Sequence, residues 1–164
     1  MPRQVRPGDD IDRIMAVMSA AFPPEFREAW TRRQVEDAML LGNCHYLLAG
    51  ADGEEPPEGA EVAGFALSRS MFGEEELLLF AVSPDFRRRG VGDRLLSRFT
   101  CAACERGNRR LLLEMRRGNS AEGLYRRHGF EPVGVRSNYY RTSYGDMIDA
   151  ITFACLHPDG SEQT

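Results

Sequence analysis

The sequence predicts a mixed α/β fold: a mostly antiparallel central sheet with helices on both faces. Three observations predict it. Apolar residues fall at helical spacing in two stretches, Ile11, Ile14, Met15 and Met18, then Leu95, Leu96, Phe99 and Ala103. Short apolar runs of strand length lie between and after them, separated by Gly and Pro clusters. The chain of 164 residues is also long enough for one real core, since roughly 70% of the unfolded surface is buried at this size. A hydrophobic fraction of 42% and a charged fraction of 28% are those of an ordinary globular domain. The longest apolar run, Leu77 to Val82, has six residues, far short of the ~20 of a membrane span.

Each element has its own signal. Gln4 to Arg6 reads as a short strand and Pro7-Gly8 as a turn. A helix follows from Asp10 to Ala21, stopped by Pro23-Pro24. Phe22 to Trp30 is a loop. Thr31-x-x-Gln34 has capping-box form and opens a helix from Arg32 to about Leu41, which Gly42-Asn43 stops. His45 to Ala51 is a strand, and Asp52 to Glu61, rich in Gly, Glu and Pro, is a surface hairpin loop. Val62 to Met71 and Glu75 to Val82 are strands around Phe72-Gly73-Glu74. A helix runs from near Gly90 to Arg106, with Gly107-Asn108 as its stop. Leu111 to Met115 is an apolar run with Glu114 as its one carboxylate, as in a strand covered on both faces. Ser120 to His128 is a short helix ended by Gly129. Phe130 to Val135 and Asp149 to Leu156 are the last strands, and Asp159 to Thr164 is a frayed tail. The predicted order is β-α-α-β-β-β-α-β-α-β-β, in a single domain over residues 1–164 whose last residues, from 157, form the tail.

Charge narrows the chemistry. Every one of the 21 basic residues is Arg, so no lysine nucleophile or Schiff base is available. Residues 1–85 carry 7 Arg against 16 acids, residues 86–142 carry 14 Arg against 5 acids, and residues 143–164 carry 4 acids and no Arg. A basic segment beside an acidic one fits a phosphorylated ligand for the first and a cationic one for the second; solvated surface is the alternative. Asp9, Asp10, Asp12 and Arg13 stand where a secretion signal needs apolar residues, so a cytoplasmic location is expected. Cys44, Cys101, Cys104 and Cys155 do not form a disulfide framework. Cys101-x-x-Cys104 lies in a helical pattern with no second ligand pair, so no metal site is expected. His45, His128 and His157 lack partner spacing and read as structural.

The sharpest motif runs from Val82 to Gly92: a strand end, then Ser83-Pro84-Asp85-Phe86-Arg87-Arg88-Arg89-Gly90-Val91-Gly92, then a helix. Gly90 and Gly92 permit a tight turn whose amides converge at the positive end of a helix dipole, and three Arg add charge. Such a loop suits a pyrophosphate. It is neither a P-loop nor a dinucleotide fingerprint, because the glycine spacing differs and no G-K-[ST] occurs.

R-x-x-G-x-G after Ala81-Val82-Ser83-Pro84 resembles the acetyl-coenzyme A loop of the GNAT acetyltransferase superfamily. Asn119 with Tyr125-Arg126-Arg127-His128-Gly129-Phe130 resembles its N…Y-x-x-x-G-F segment, and Val5-Arg6-Pro7-Gly8-Asp9 its first strand and helix start. Leu113-Glu114-Met115-Arg116, Asn119, Asn138-Tyr139-Tyr140 and Asp149-Ala150 are similar to the bacterial ribosomal-protein-alanine N-acetyltransferases. The interval from Glu114 to Tyr125 is one residue shorter than in that subfamily, which puts a deletion near Ser120. The interval from Gly145 to Asp149 is one residue longer. Asp93 stands where the family usually has a basic or neutral residue.

The resemblance implies acetyl transfer from acetyl-coenzyme A (acetyl-CoA) to a primary amine. Glu114 is then the general base, working through a water, and Tyr125 the general acid for the leaving thiolate. Phe80, Ala81, Val82, Arg87, Arg88, Arg89, Gly90, Val91, Gly92, Asp93 and Asn119 would hold the cofactor, with a bulge near Phe80–Val82 opening the sheet. Trp30, Tyr139 and Tyr140 would wall the acceptor. Read by themselves, Glu114 could instead pair with Arg116 on its own strand face, Tyr125 could be a core tyrosine, and the aromatics could be core or surface. The expected acceptor is a protein N-terminus such as that of a ribosomal protein, with no membrane or nucleic-acid partner and a monomer or homodimer. A small-amine acetyltransferase and a non-catalytic acyl-coenzyme A or ribosome-binding module are the alternatives.

Overall fold

A computed structural model describes residues 7–156. The strand expected at Gln4–Arg6 and the expected tail lie outside the described residues. The elements are α1 (Pro7–Ala21), α2 (Arg32–Met39), β1 (Cys44–Ala49), β2 (Gly64–Met71), β3 (Glu74–Val82), α3 (Val91–Glu105), β4 (Arg110–Arg116), α4 (Glu122–Arg127), β5 (Glu131–Arg141) and β6 (Met147–Leu156). They form one sheet in the order β1-β2-β3-β4-β6-β5, antiparallel throughout except for the parallel pair β3–β4.

Helix α1 begins at Pro7, so Pro7-Gly8 is its first turn and not a turn before it. Proline is suited to that position, where its missing N–H has no helical partner anyway. The capping box of α2 is formed on both sides: Thr31 Oγ1 accepts from Gln34 N, and Gln34 Oε1 accepts from Thr31 N. Phe72 and Gly73 both have positive φ, making a two-residue hairpin turn, so β3 starts at Glu74. The last two strands are longer than the sequence pattern predicts. They form a hairpin that extends to Arg141 and Met147, and β5 is exposed along almost its whole length, which removes the alternation that reveals a strand.

Two cores sit on opposite faces of the sheet. Ile14, Val17, Met18 and Val35 of α1 and α2 pack on Phe65, Leu67, Leu79 and Ala81. Leu95, Leu96, Phe99 and Ala103 of α3, with Tyr125 of α4, pack on Leu77, Leu111, Leu113, Met115 and Phe153. Leu111, Leu113 and Met115 are buried, whereas Leu112, Glu114 and Arg116 on the other face of β4 are only half-buried. That face is therefore lined by a cleft, which corrects the expectation of a strand fully covered on both sides.

At one end of the sheet a buried carboxylate locks β2, β3 and α3 together. Glu75 is fully buried and accepts hydrogen bonds from Ser68 Oγ at 2.7 Å, Arg106 Nε at 2.9 Å and Asn108 Nδ2 at 2.9 Å. Burial alone would raise its pKa, but the hydrogen bonds from Arg106, Ser68 and Asn108 outweigh it and hold the carboxyl below its ordinary value. A depressed folded pKa contributes stability above the unfolded value, and that contribution is lost as pH falls through the folded one. Glu75→Ala should cost about 3–5 kcal/mol in urea unfolding by stranding Arg106. Glu75→Gln should flatten the fall in stability below about pH 4; an unchanged acid limb would show that Glu75 is not the group responsible.

Candidate active site

Strands β3 and β4 pair only from Glu74–Leu77 to Arg110–Leu113. Beyond that point Leu78–Val82 and Glu114–Arg116 diverge, leaving a split in the middle of the sheet. The bulge that accompanies the split lies at Leu78, opposite the Leu67–Ser68 step, two residues before the stretch expected from sequence. One extra residue inverts the alternation. Leu77 faces the α3 layer and Leu79 the α1 layer, and Phe80 and Val82 are turned toward α3 and α4.

A groove of about 440 Å³ lies on the α3–α4 side of the split. Phe80, Ala81 and Val82 form one wall, and Arg87, Arg88, Gly90, Val91, Gly92 and Asp93 its end. Gly90 caps α3 with φ +79°, and no side chain caps this helix. The first-turn amides of Val91, Gly92 and Asp93 therefore have no intrahelical acceptor and point at the groove's end. Gly92 serves close packing: a Cβ there would lie 3.2 Å from Leu124 Cδ2 of α4. Arg87 is anchored to backbone, donating to Val82 O at 3.1 Å and Ala21 O at 3.3 Å. Arg89 is the exception among the three arginines: it stacks on Phe86 at 5.6 Å and does not line the groove. Asp93 is bound by Arg127 at 3.3 Å and His128 at 3.1 Å. Its partial burial would raise its pKa, and these two partners outweigh that and lower it. His128 thus has a specific partner after all, and Arg127 is drawn to the groove wall.

A second cleft of about 350 Å³ opens on the other side of the split. Trp30, Tyr139 and Tyr140 all line it, together with Glu28, Glu76 and Glu114. The two tyrosines stand edge-to-face at 5.1 Å. Their presentation depends on an irregular stretch of β5 between Arg136 and Tyr140, where Asn138 has φ +54° and its N–H donates to Asp149 Oδ1 at 2.9 Å. Glu114 keeps 20% of its side-chain surface open to the cleft and lies 3.5 Å from Arg136. Arg116 is paired with Glu28 instead, so the alternative pairing of Glu114 with Arg116 is not formed.

Groove and cleft share five lining residues: Phe22, Glu28, Phe80, Asn119 and Tyr125. Tyr125 is buried, sandwiched edge-on between Phe80 at 6.0 Å and Phe130 at 6.1 Å. Burial, and secondarily the charge of Glu28, raises its pKa far above that of a free phenol, so it holds its proton at neutral pH. Tyr140 is pushed up to about 12 by burial and then by the charges of Glu114 and Glu28. Asn119 Oδ1 accepts from Ala121 N at 2.9 Å, which fixes the shortened turn into α4 while leaving Asn119 at the junction. Sequence reasoning missed Glu28; Asn138 and Asp149 were named as part of the family resemblance, and the hydrogen bond between them comes from the fold.

Residues 42–132 match the family model described as the acetyltransferase (GNAT) domain. The chain belongs to the GNAT acetyltransferase family. It is 35% identical over 98 residues to the [ribosomal protein bS18]-alanine N-acetyltransferase of Haemophilus influenzae, covering 60% of this chain and 67% of that one. The enzyme of the same name from Salmonella typhimurium is 40% identical over 94 residues, covering 57% and 63%. The matched stretch thus spans about two thirds of these curated relatives. The crystal structure of the ribosomal-protein-S18-alanine N-acetyltransferase from Escherichia coli superposes with a TM-score of 0.76 at 27% identity, covering 94% of this chain and 93% of that one. The protein is therefore an acetyl-coenzyme A-dependent N-acetyltransferase. The groove fits that co-substrate: it offers a free strand edge, unpartnered helix-start amides and arginine at one end. No described helix is long and apolar enough to cross a membrane.

Proposed function

We propose that this acetyltransferase modifies the N-terminal α-amine of a protein, with a basic, ribosomal-type N-terminus as the favoured acceptor. The observation that carries the reading is the second cleft. It is walled by Trp30, Tyr139 and Tyr140 and lined by three carboxylates, Glu28, Glu76 and Glu114, each with one arginine partner, Arg116, Arg69 and Arg136 in turn. A trough with that lining suits an extended, positively charged chain end. The names of the curated relatives support the same acceptor class.

Acetyl-coenzyme A, when bound, supplies a thioester carbonyl to the attacking amine. Arg87, Arg88 and the amides of Val91, Gly92 and Asp93 hold its pyrophosphate, and Arg127, held by Asp93, adds charge at the same wall. The free edge of Phe80, Ala81 and Val82 takes the pantetheine arm as an added strand, and an amide there polarises the carbonyl. Glu114, open to the cleft, removes the amine's proton through a water. Tyr125, kept protonated by burial, returns a proton to the departing sulfur. Direct attack needs no enzyme nucleophile, which agrees with a junction lined by Phe22, Glu28, Phe80, Asn119 and Tyr125.

Glu114→Gln should lower kcat by about 10²–10⁴-fold at neutral pH while leaving acetyl-coenzyme A affinity nearly unchanged. The loss should shrink at high pH, where the amine is already neutral. A variant with the parent's pH–rate profile would remove Glu114 from the mechanism. The acceptor assignment is tested by comparing kcat/KM for a basic N-terminal peptide, a neutral peptide and spermidine. The basic peptide should win, and its lead over the neutral one should fall with salt because exposed charges are screened over about 8–10 Å. Spermidine matching the best peptide would mean that a small amine is the substrate.

A further inference from the structure

The loop from Phe22 to Trp30 brings one carboxylate to the place where groove and cleft meet. Glu28 lines both, and among the described residues it is the only acid that does. Its Oε1 accepts from Arg116 Nε at 3.1 Å, and both side chains retain only 13% of their surface. The guanidinium of Arg116 lies 3.6 Å over the ring of Phe26, so its plane is fixed from below while its edge holds the carboxylate. The loop is tied again where Ser143 N donates to Glu25 O at 2.9 Å. Glu28 Oε2 has no hydrogen-bond partner among the described residues. Burial raises the phenols of Tyr125, at the junction, and Tyr140, in the cleft, and the charge of Glu28 adds to both, after that of Glu114 at Tyr140.

We infer that Glu28 is a specificity-determining residue, whose free carboxylate oxygen receives an N–H of the acceptor's ammonium group before transfer. The inference rests on the acceptor reading above and deepens it. Arg116 and Phe26 hold the carboxylate still, so the ammonium meets an acceptor that is already oriented. Glu114 and Glu28 then divide the work at the amine. Glu28 docks the cation, and Glu114 takes its proton. An acceptor without a positive charge at this point leaves a half-buried carboxylate oxygen unpaired, which disfavours amides and alcohols.

Glu28→Gln tests this, because glutamine keeps the oxygen that Arg116 holds, removes the charge and replaces the free acceptor oxygen with an NH2 donor. The peptide KM should rise about tenfold at pH 7, the size of one charged hydrogen bond. kcat and acetyl-coenzyme A affinity should stay within about twofold. The KM ratio of variant to parent should collapse toward one above pH 9, since an α-amine with pKa ≈ 7.7–8.0 is neutral there. Trp30, the single tryptophan of the chain, lines the cleft and reports peptide binding to the parent without turnover. That affinity should weaken about tenfold between pH 7 and 9.5 as the ammonium is lost. A parent that acetylates the peptide while Glu28→Gln matches its KM at pH 7, or differs by a pH-independent factor, overturns the inference alone. A pH-independent peptide affinity of the parent overturns it even if the variant does not fold. A parent that neither binds nor acetylates the peptide overturns the acceptor reading and this inference with it.

Discussion

Parallel pairing between β3 and β4 stops at Leu77 and Leu113, and the organisation of the site follows from that stop. A sheet strand with one free edge in the protein's interior is costly, because its amides and carbonyls need partners. Here the free edge faces a groove that water and a ligand can reach. The bulge at Leu78 sets where the edge begins and turns Phe80 and Val82 toward α3 and α4. The Glu75 cluster holds the other, paired end closed, so the two strands diverge from a fixed point. The split is thus a built feature with a clamp at one end and a phosphate-type helix start, at Gly90, at the other.

Charge is sorted along the same line. The groove ends in Arg87, Arg88 and Arg127, and the cleft carries Glu28, Glu76 and Glu114. Opposite charges therefore flank one buried phenol, Tyr125, and the aromatic rings around it keep the junction dry enough for burial to govern its proton. Two long-range ties keep that arrangement in register. Arg87 joins the helix-start loop to the end of α1, and Arg116 joins β4 to Glu28. The first tie ends at Ala21, just before the Phe22–Trp30 loop, and the second within it, so the loop that shapes the cleft is fastened to the elements that shape the groove.

The sequence made the start of α2 and the glycine-rich loop before α3 legible because their backbone leaves few residue choices. The Thr31–Gln34 box and the positive φ of Gly90 and Gly107 are of this kind. Glu114 and Tyr125 were singled out through the family resemblance, which local patterning alone would not have given. The bulge was misplaced because Leu77–Val82 is apolar at every position, so no alternation marks the residue at which the faces exchange. The far half of β5 was missed because both its faces are exposed. Glu28 was invisible because its partner Arg116 lies 88 residues away, and His128 looked unpartnered because Asp93 lies 35 residues before it. Contacts of this range are products of the fold and leave no spacing to read.

We propose that acetyl-coenzyme A is held in the split of the sheet. Amide hydrogen exchange of the full chain with and without acetyl-coenzyme A decides this. Exchange should slow only along the free edge, Leu78–Val82, and in the helix-start loop, Arg88–Asp93, with the β1–β2 pair unchanged. Unaltered exchange in both segments under saturating acetyl-coenzyme A would place the co-substrate elsewhere.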